Sequence, residues 1–166
     1  MPEKQTIERA REDKREGKAP TTQAGEFVRE EMHHIREGKH GARSPQQAIA
    51  IGLSKARRAG VDLPPPRGGS VPEKTRKSAE RAYEEGQGLR QAKHRPRVAK
   101  AVKGVLKREG RKAASPDALS RQARSAAGRR THGERSAAAK RAARTKGPAE
   151  RSAAARKAAR TRAESR

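Results

Sequence analysis

The chain has 166 residues, and its 43 Lys and Arg against 19 Asp and Glu give a formal net charge of +24. Only 16 residues are Leu, Ile, Val or Phe, and so small an apolar share combined with high net charge is typical of disordered proteins. One Phe, one Tyr and no Trp exclude an aromatic core, and the lack of Cys excludes disulfides and thiolate metal sites.

This composition predicts a mostly α-helical chain with extensive disorder and no single compact core. Gly and Pro divide the sequence into short segments. We predict a charged N-terminal helix or arm at 1–21, a small helical hairpin at 22–61 and a Pro/Gly linker at 62–71. Basic helices are predicted at 72–110. The repetitive basic tail at 111–166 is predicted to be largely disordered when free.

The hairpin prediction depends on two short helical patterns. In the first, Val28, Met32 and Ile35 recur at helical spacing and form one apolar stripe. The second begins at Ser44, an N-cap residue that is followed three positions later by Gln47, and this spacing predicts a capping box. Small residues line one face of the second helix and suit close packing on the stripe. We therefore expect the two helices to pair antiparallel.

Two further helices are predicted after the linker. Ser70 and Glu73 have the spacing of another capping box and predict a polar helix that ends near Glu85. The next helix starts at Pro96 and has a basic face opposite an apolar one that consists of Val98, Ala101, Val102, Val105 and Leu106. Ser115 with the following proline predicts one more helix start.

The tail contains an internal repeat. The sequence ERSAAAKRAARTKG at 134–147 recurs as ERSAAARKAARTRA at 150–163. Alanine favours helix, but neither unit has an apolar face to bury. Like-charge repulsion is therefore expected to keep both units disordered in the free protein, and neutralisation by phosphates should make them helical.

Positive charge increases along the chain. Residues 1–37 carry 8 Lys and Arg against 9 Asp and Glu, residues 38–109 carry 18 against 6, and residues 110–166 carry 17 against 4. This distribution indicates a polyanionic partner, and cations every few residues on a helix suit phosphates. The predicted nucleic-acid-binding residues are cations of the hairpin, of the helix at Pro96 and of the tail, namely Lys55, Arg57, Arg58, Lys100, Lys103, Lys107, Arg129, Arg130, Arg135, Lys140, Arg141, Arg144, Lys146, Arg151, Arg156, Lys157, Arg160 and Arg162.

No pattern in the sequence supports the readout of bases. Base edges need a fixed recognition helix, and single-stranded bases need aromatic platforms, and the sequence supplies neither. Double-stranded DNA bound through its backbone is therefore the expected partner, and RNA is left open. A membrane surface is not expected, because the basic helices lack a bulky apolar face. For the hairpin, a protein partner, a DNA shape and self-association are left open.

The histidines do not form a recognised metal motif. His33, His34 and His40 lie near Glu30 and Glu31, and Glu30 shares a helix face with His33 or His34. The zinc-protease pattern is absent and there is no Cys, so no metal or other cofactor is expected. We expect the three histidines on the polar surface near the hairpin turn. The sequence also has no nucleophile elbow and no phosphate loop, so an enzyme is not expected.

Two parts of the chain resemble known proteins. The block EFVREEMHHIREGKHGARSPQQAIAIGLSKARRAG at 26–60 resembles a block of small, basic, uncharacterised bacterial proteins, some of them labelled plasmid-stabilisation or DNA-binding proteins. The residues that carry this resemblance are His33 or His34 to Lys39, Gln47 to Ile51, Ser54, Ala56, Arg57, Ala59 and Gly60. The tail is similar to the linker-histone-like tails of bacterial nucleoid proteins. The first resemblance has no known catalytic residues and implies a family more than a function, and the second is a likeness of composition.

The sequence thus predicts non-sequence-specific nucleic-acid binding by a nucleoid-associated or plasmid-maintenance protein. Residues 1–18 hold no apolar segment of a secretory signal, so we expect the protein in the cytoplasm, at the nucleoid. Two alternatives are left open. One is a charged protein-interaction or stress-protectant protein, and the other is an RNA- or ribosome-binding protein.

Overall fold

The computed structural model describes residues 2–93, 95–145 and 147–164, and within these ranges the regular elements are helices without any strand. The mostly α-helical class is therefore confirmed. The contacts divide the chain into two units, Met1–Gln122 and Ala123–Arg166. The elements are α1 (Lys4–Arg15), α2 (Pro20–Arg36), α3 (Pro45–Arg58), α4 (Glu73–Gly86), α5 (Pro96–Arg108), a 3₁₀ helix (Lys112–Ala114), α6 (Pro116–Gly128), α7 (His132–Thr145) and α8 (Pro148–Glu164).

Helices α2 and α3 form the predicted antiparallel pair. Ile35 near the end of α2 shares one apolar cluster with Ala48 near the start of α3. Phe27, about two helical turns before Ile35, shares a second cluster with Ala56 near the end of α3. Between the two clusters, a Cβ added to Gly52 would lie only 2.7 Å from the Cα of Val28. A small residue at that position therefore sets how closely the helices approach.

Helix α1 packs on this pair in spite of its charged sequence. Thr6 and Ala10, one turn apart, are buried, and Ile7 packs against the cluster around Phe27. Nε of Arg9 donates a hydrogen bond of 2.6 Å to Oε2 of Glu26 on α2. The N-terminal segment thus belongs to the first unit and extends the hairpin to three helices.

Helix α4 and the segment before it pack on α3. Ala79 and Ala82 are buried, and a Cβ on Gly86 would lie 1.7 Å from the carbonyl oxygen of Arg57, so the two backbones touch. The guanidinium of Arg57 donates to the carbonyl oxygens of Leu63 and Pro64 at 3.0 and 3.2 Å. These hydrogen bonds hold the start of the predicted linker against α3. The prolines of the linker prevent it from forming a helix.

The C-terminal end of α5 lies against the loop between α2 and α3. The backbone N–H of Gly41 donates to Leu106 O at 2.8 Å, and that of Ala42 donates to Gly110 O at 3.1 Å. A Cβ on Gly41 would lie 1.9 Å from Glu109 O, so this approach requires glycine. Ala113 and Ala114 of the 3₁₀ helix then complete the first apolar cluster. The expectation of isolated helices beside a hairpin is therefore wrong for the first unit.

Local capping rules predict two helix starts correctly and one incorrectly. Ser44 Oγ accepts from Gln47 N at 3.2 Å, and Ser115 Oγ accepts from Ala118 N at 3.3 Å, as their cap positions predict. Ser70 caps nothing, because its hydroxyl donates to Arg67 O at 2.6 Å. The N-cap residue of α4 is instead Pro72, which has no side-chain oxygen that could accept a capping hydrogen bond.

The second unit is helical, which contradicts the predicted extensive disorder. Helix α7 begins with a capping box in which Glu134 Oε2 accepts from Thr131 N at 2.8 Å and Glu134 N donates to Thr131 Oγ1 at 3.2 Å. Helix α8 begins with Pro148 at its first position. In the described part of this unit no residue is buried. Alanine propensity and capping therefore suffice for helix where no core forms, because a helix satisfies its backbone hydrogen bonds locally.

Candidate nucleic-acid interface

The cations of α5 project into solvent. Arg97, Lys100, Lys103, Lys107 and Arg108 are exposed, and within the described residues none of their side chains forms a hydrogen bond or an ion pair. The apolar face of the same helix is also open, with Val98, Val102 and Val105 exposed by 55%, 52% and 41%. Three of the predicted nucleic-acid-binding residues, Lys100, Lys103 and Lys107, belong to this helix.

The cations of α7 and α8 repeat a fixed arrangement. At about 100° per residue, the second, third and fourth cations of each unit fall within an arc of about 100°, while the first lies on the opposite side. In α7 the arc consists of Lys140, Arg141 and Arg144, and in α8 of Arg156, Lys157 and Arg160. All six are exposed. Each helix therefore presents a row of three positive charges along one side.

The other predicted tail residues that the structure describes are also solvent-exposed. Arg129 and Arg130 lie at the turn before α7, and Arg130 contributes its carbonyl oxygen to a 3.2 Å hydrogen bond from Arg135. Arg151 lies in the first turn of α8 and Arg162 in its last turn. Lys146 lies outside the described residues.

The three predicted hairpin cations are engaged inside the first unit. Lys55 Nζ lies 2.6 Å from Glu31 Oε2, and Arg58 Nε lies 3.0 Å from Glu85 Oε2. Arg57 is 7% exposed, and burial lowers the pKa of its guanidinium below the ordinary value. These side chains stabilise packing between helices, so we base the interface on α5, α7 and α8.

A buried charged cluster lies where α2, α3 and the loop between them meet. The side chains of Glu30 and Glu31 are 2% and 1% exposed, and both face Lys55. His40 Nε2 lies 3.1 Å from Glu31 Oε1, and His34 Nδ1 lies 4.0 Å from Glu30 Oε1. Burying two carboxylates is costly unless positive charge compensates them, which Lys55 does from a side chain that is 22% exposed.

Both histidines of this cluster use their second ring nitrogen as well. His34 Nε2 lies 2.8 Å from Glu3 Oε1, and His40 Nδ1 lies 3.1 Å from Gly41 O. The hydrogen bond to His34, followed by that to Lys39, holds the pKa of the Glu3 carboxyl below its ordinary value. These contacts hold the segment before α1 against the C-terminal end of α2.

The positions of the histidines differ from the expected ones. His33 is exposed, as expected, but the side chains of His34 and His40 are only 13% and 16% exposed. The sequence signal was the spacing of three between Glu31 and His34, which places both on one side of α2. His40 joins them because the chain turns back at Gly38, whose φ is +78°.

Part of the first unit matches a family model. Residues 15–67 match the model of DUF6496, described as a family of unknown function. This range covers α2, α3 and the connecting loop, and thus the buried charged cluster apart from Glu3. Searches of curated proteins and of solved structures found no significant match. Among the described residues, no helix is both long enough and apolar enough to cross a membrane.

Proposed function

We propose that the protein binds nucleic acid, above all double-stranded DNA, through phosphate contacts and with little preference for sequence. The observation that carries this proposal is the contrast between two groups of cations. Several cations of α1 to α4 lie beside carboxylates, for example Arg9 beside Glu26 and Arg58 beside Glu85. By contrast, α5 carries five cations and no acidic residue, and the exposed rows of α7 and α8 lie in the stretch 110–166, where 17 Lys and Arg stand against 4 Asp and Glu. A polyanion would neutralise that excess.

The dimensions of α8 suit a duplex backbone. Its 17 residues span about 25 Å at 1.5 Å per residue. Over that length a DNA duplex presents about 15 phosphate charges, at one per 1.7 Å of its axis. The row formed by Arg156, Lys157 and Arg160 would contact one duplex, while Arg151 on the opposite side would be left for a second. Binding two duplexes at once would compact DNA, as expected of a nucleoid-associated or plasmid-maintenance protein.

The rows offer little to read a base sequence. Phosphate contacts position a protein on DNA, whereas base readout requires side chains held at fixed positions in a groove. In each row two alanines separate an adjacent pair of cations from the third, and the described residues of the second unit include no Phe, Tyr or Trp for stacking. The expected binding is therefore electrostatic and strongly dependent on salt.

The test compares two full-length variants that each lose six positive charges, at different positions. In the row variant Lys or Arg becomes Gln at Lys140, Arg141, Arg144, Arg156, Lys157 and Arg160. The matched control carries Gln at six exposed cations of α1 and α4, namely Lys4, Arg11, Lys14, Lys74, Lys77 and Arg81. Fluorescence anisotropy measures binding to a random duplex of about 30 base pairs over a salt series that includes about 0.15 M.

We expect the natural chain to remain bound at about 0.15 M salt, and the row variant to bind much more weakly. Each phosphate contact contributes about −0.9 to the slope of log K against log salt, so removing six should reduce the slope by up to about 5. The control should keep nearly the full slope. Equal losses in both variants would refute the assignment to α7 and α8. Release of DNA by the natural chain at this salt concentration would favour the charged protein-interaction alternative, and preferential competition by structured RNA would favour RNA.

A further inference from the structure

One ligand atom from each of Glu31, His34 and His40 lies within 4.8 Å of the other two. The closest pair is His40 Nε2 and Glu31 Oε1, at 3.1 Å. In a tetrahedral zinc site with bonds of about 2.0–2.2 Å, neighbouring ligand atoms are about 3.3–3.6 Å apart. This pair therefore already has the spacing of two ligands, and His34 needs a side-chain movement of about 1 Å to join them.

In each of the two histidines, one ring nitrogen faces the cluster and the other contacts an oxygen outside it. His34 Nε2 lies 2.8 Å from the Glu3 carboxylate, and His40 Nδ1 lies 3.1 Å from the carbonyl oxygen of Gly41. Both oxygens are acceptors, so a neutral imidazole in either place would carry its proton on this second nitrogen. Its lone pair would then be on His34 Nδ1 or His40 Nε2, the atoms that face the buried carboxylates. Metal-binding histidines commonly donate their other N–H to a carboxylate or to a backbone carbonyl in this way.

The buried carboxylates of the cluster outnumber its lysines, so a further cation would be favourable there. Two buried carboxylates, Glu30 and Glu31, share the single ammonium of Lys55. Oε2 of Glu31 is buried without a hydrogen bond, since Lys55 Nζ lies 2.6 Å away in a direction unsuitable for one. On the other side, Nε2 of His40 lies 3.1 Å from Oε1 of the same carboxylate. With a neutral imidazole protonated on Nδ1, two electron-rich atoms would meet at this distance, and a positive ion between them would make the contact favourable.

We propose that Glu31, His34 and His40 bind a divalent transition-metal ion of the Zn²⁺ class. Two imidazole nitrogens and one carboxylate suit Zn²⁺, whereas Ca²⁺ and Mg²⁺ prefer oxygen ligands alone. Three protein ligands leave a fourth position, for which Glu30 is available with Oε1 4.0 Å from His34 Nδ1. The proposal departs from the expectation drawn from the sequence, and it does not depend on nucleic-acid binding.

The proposed site joins separate parts of the first unit. Glu31 and His34 belong to α2, while His40 belongs to the loop whose next two residues are hydrogen-bonded to the end of α5. Glu3, the acceptor behind His34, precedes α1. A bound ion would therefore stabilise α1, α2 and the α5 docking site together, and the protein should unfold at a higher temperature with Zn²⁺ than without.

The test uses the full chain freed of metal with a chelator that is then removed. Isothermal titration calorimetry with ZnCl₂ should give one ion per chain, and Co²⁺ should give the intense visible absorption of a tetrahedral site. His40→Ala should weaken Zn²⁺ binding by at least about 100-fold, and Glu3→Gln, which removes only the outer partner of His34, by about 10-fold. His33→Ala, an exposed histidine on the same helix, is the matched control and should bind like the natural chain.

Circular dichroism establishes whether each variant folds. If His40→Ala does not fold, Glu3→Gln and His33→Ala decide the question by their Zn²⁺ affinities and Co²⁺ spectra. Equal Zn²⁺ affinity in the natural chain and in a folded His40→Ala variant would overturn the proposal, as would the lack of a one-to-one complex. In the latter case the unfolding temperature would also be insensitive to Zn²⁺.

Discussion

Replacing Lys55 by Met removes the ammonium that Glu30 and Glu31 share. The change keeps a side chain of similar length and apolar stem, so the loss of charge dominates its effect. Nζ of Lys55 lies 3.3 Å from Glu30 Oε1 and 2.6 Å from Glu31 Oε2, and both carboxylates are almost fully buried. The variant therefore leaves two negative charges in the interior with no lysine to compensate them.

The magnitude follows from the burial of this cluster. Removing one partner of a buried ion pair typically costs about 3–5 kcal/mol, because the remaining charge is uncompensated. The side chain of Lys55 is 22% exposed, which lowers the expectation to about 3 kcal/mol. That is a large share of the roughly 5–15 kcal/mol that stabilises a typical domain. Lys55→Arg retains a cation and should lose much less.

Urea unfolding followed by tyrosine fluorescence measures this loss in the first unit. Tyr83 is the single tyrosine of the chain, and its hydroxyl donates to Asp62 Oδ1 at 2.8 Å, so its signal reports on packing of α4. Adding Glu31→Gln to Lys55→Met removes one stranded charge and should recover about 1–3 kcal/mol. Affinity for DNA should be unchanged in Lys55→Arg.

A loss below about 1 kcal/mol for Lys55→Met, as found for exposed ion pairs, would refute this reasoning. So would a Lys55→Met, Glu31→Gln double variant that is no more stable than Lys55→Met alone. Lys55 would then be available for phosphate contacts, as the sequence predicts.

Two further predictions concern helix packing and acid stability. Gly52→Ala should lower the free energy of unfolding in urea by about 1–3 kcal/mol, because the added Cβ would meet the backbone of Val28. Gly104→Ala, whose added Cβ would have nothing within 4 Å, should raise it by about 1 kcal/mol. Equal effects of the two changes on stability would contradict the close approach of α2 and α3. The pKa of Glu3 is lowered in the fold by His34, so its stabilising contribution is complete above the ordinary value of 4.5 and is lost as the pH falls through the lower folded-state value. Unfolding temperatures of Glu3→Gln should therefore depend less on pH below about 4.5, and a slope equal to that of the natural chain would disprove this contribution.

Residues within one turn of a helix end were sufficient to predict many boundaries. Ser44 and Ser115 cap α3 and α6 because their hydroxyls need only a backbone N–H three residues away. Gly38 and Gly60 end α2 and α3 with φ of +78° and +86°, which glycine adopts without strain. Ser70 shows the limit of this reasoning, since a competing carbonyl at Arg67 takes its hydroxyl.

The disorder prediction was wrong for a different reason. A low share of bulky apolar residues shows that a chain cannot build a large core, and the second unit indeed has no buried residue in its described part. Helix formation depends on another property, the low conformational cost of alanine, together with caps such as Thr131 and Glu134. For the described part of the second unit, composition therefore predicted the lack of a core correctly and the lack of structure incorrectly.

The sequence by itself determined the helical class, most helix ends, the pairing of α2 with α3 and the location of the positive charge, because these depend on neighbours along the chain or on simple counts. Only the tertiary structure decided which charged side chains are buried. Glu30 and Lys55 are 25 positions apart, and Glu3 and His34 are 31 apart. Their contact depends on how closely small residues such as Gly52 let the helices approach, and that distance is a property of packing between helices that no local pattern encodes.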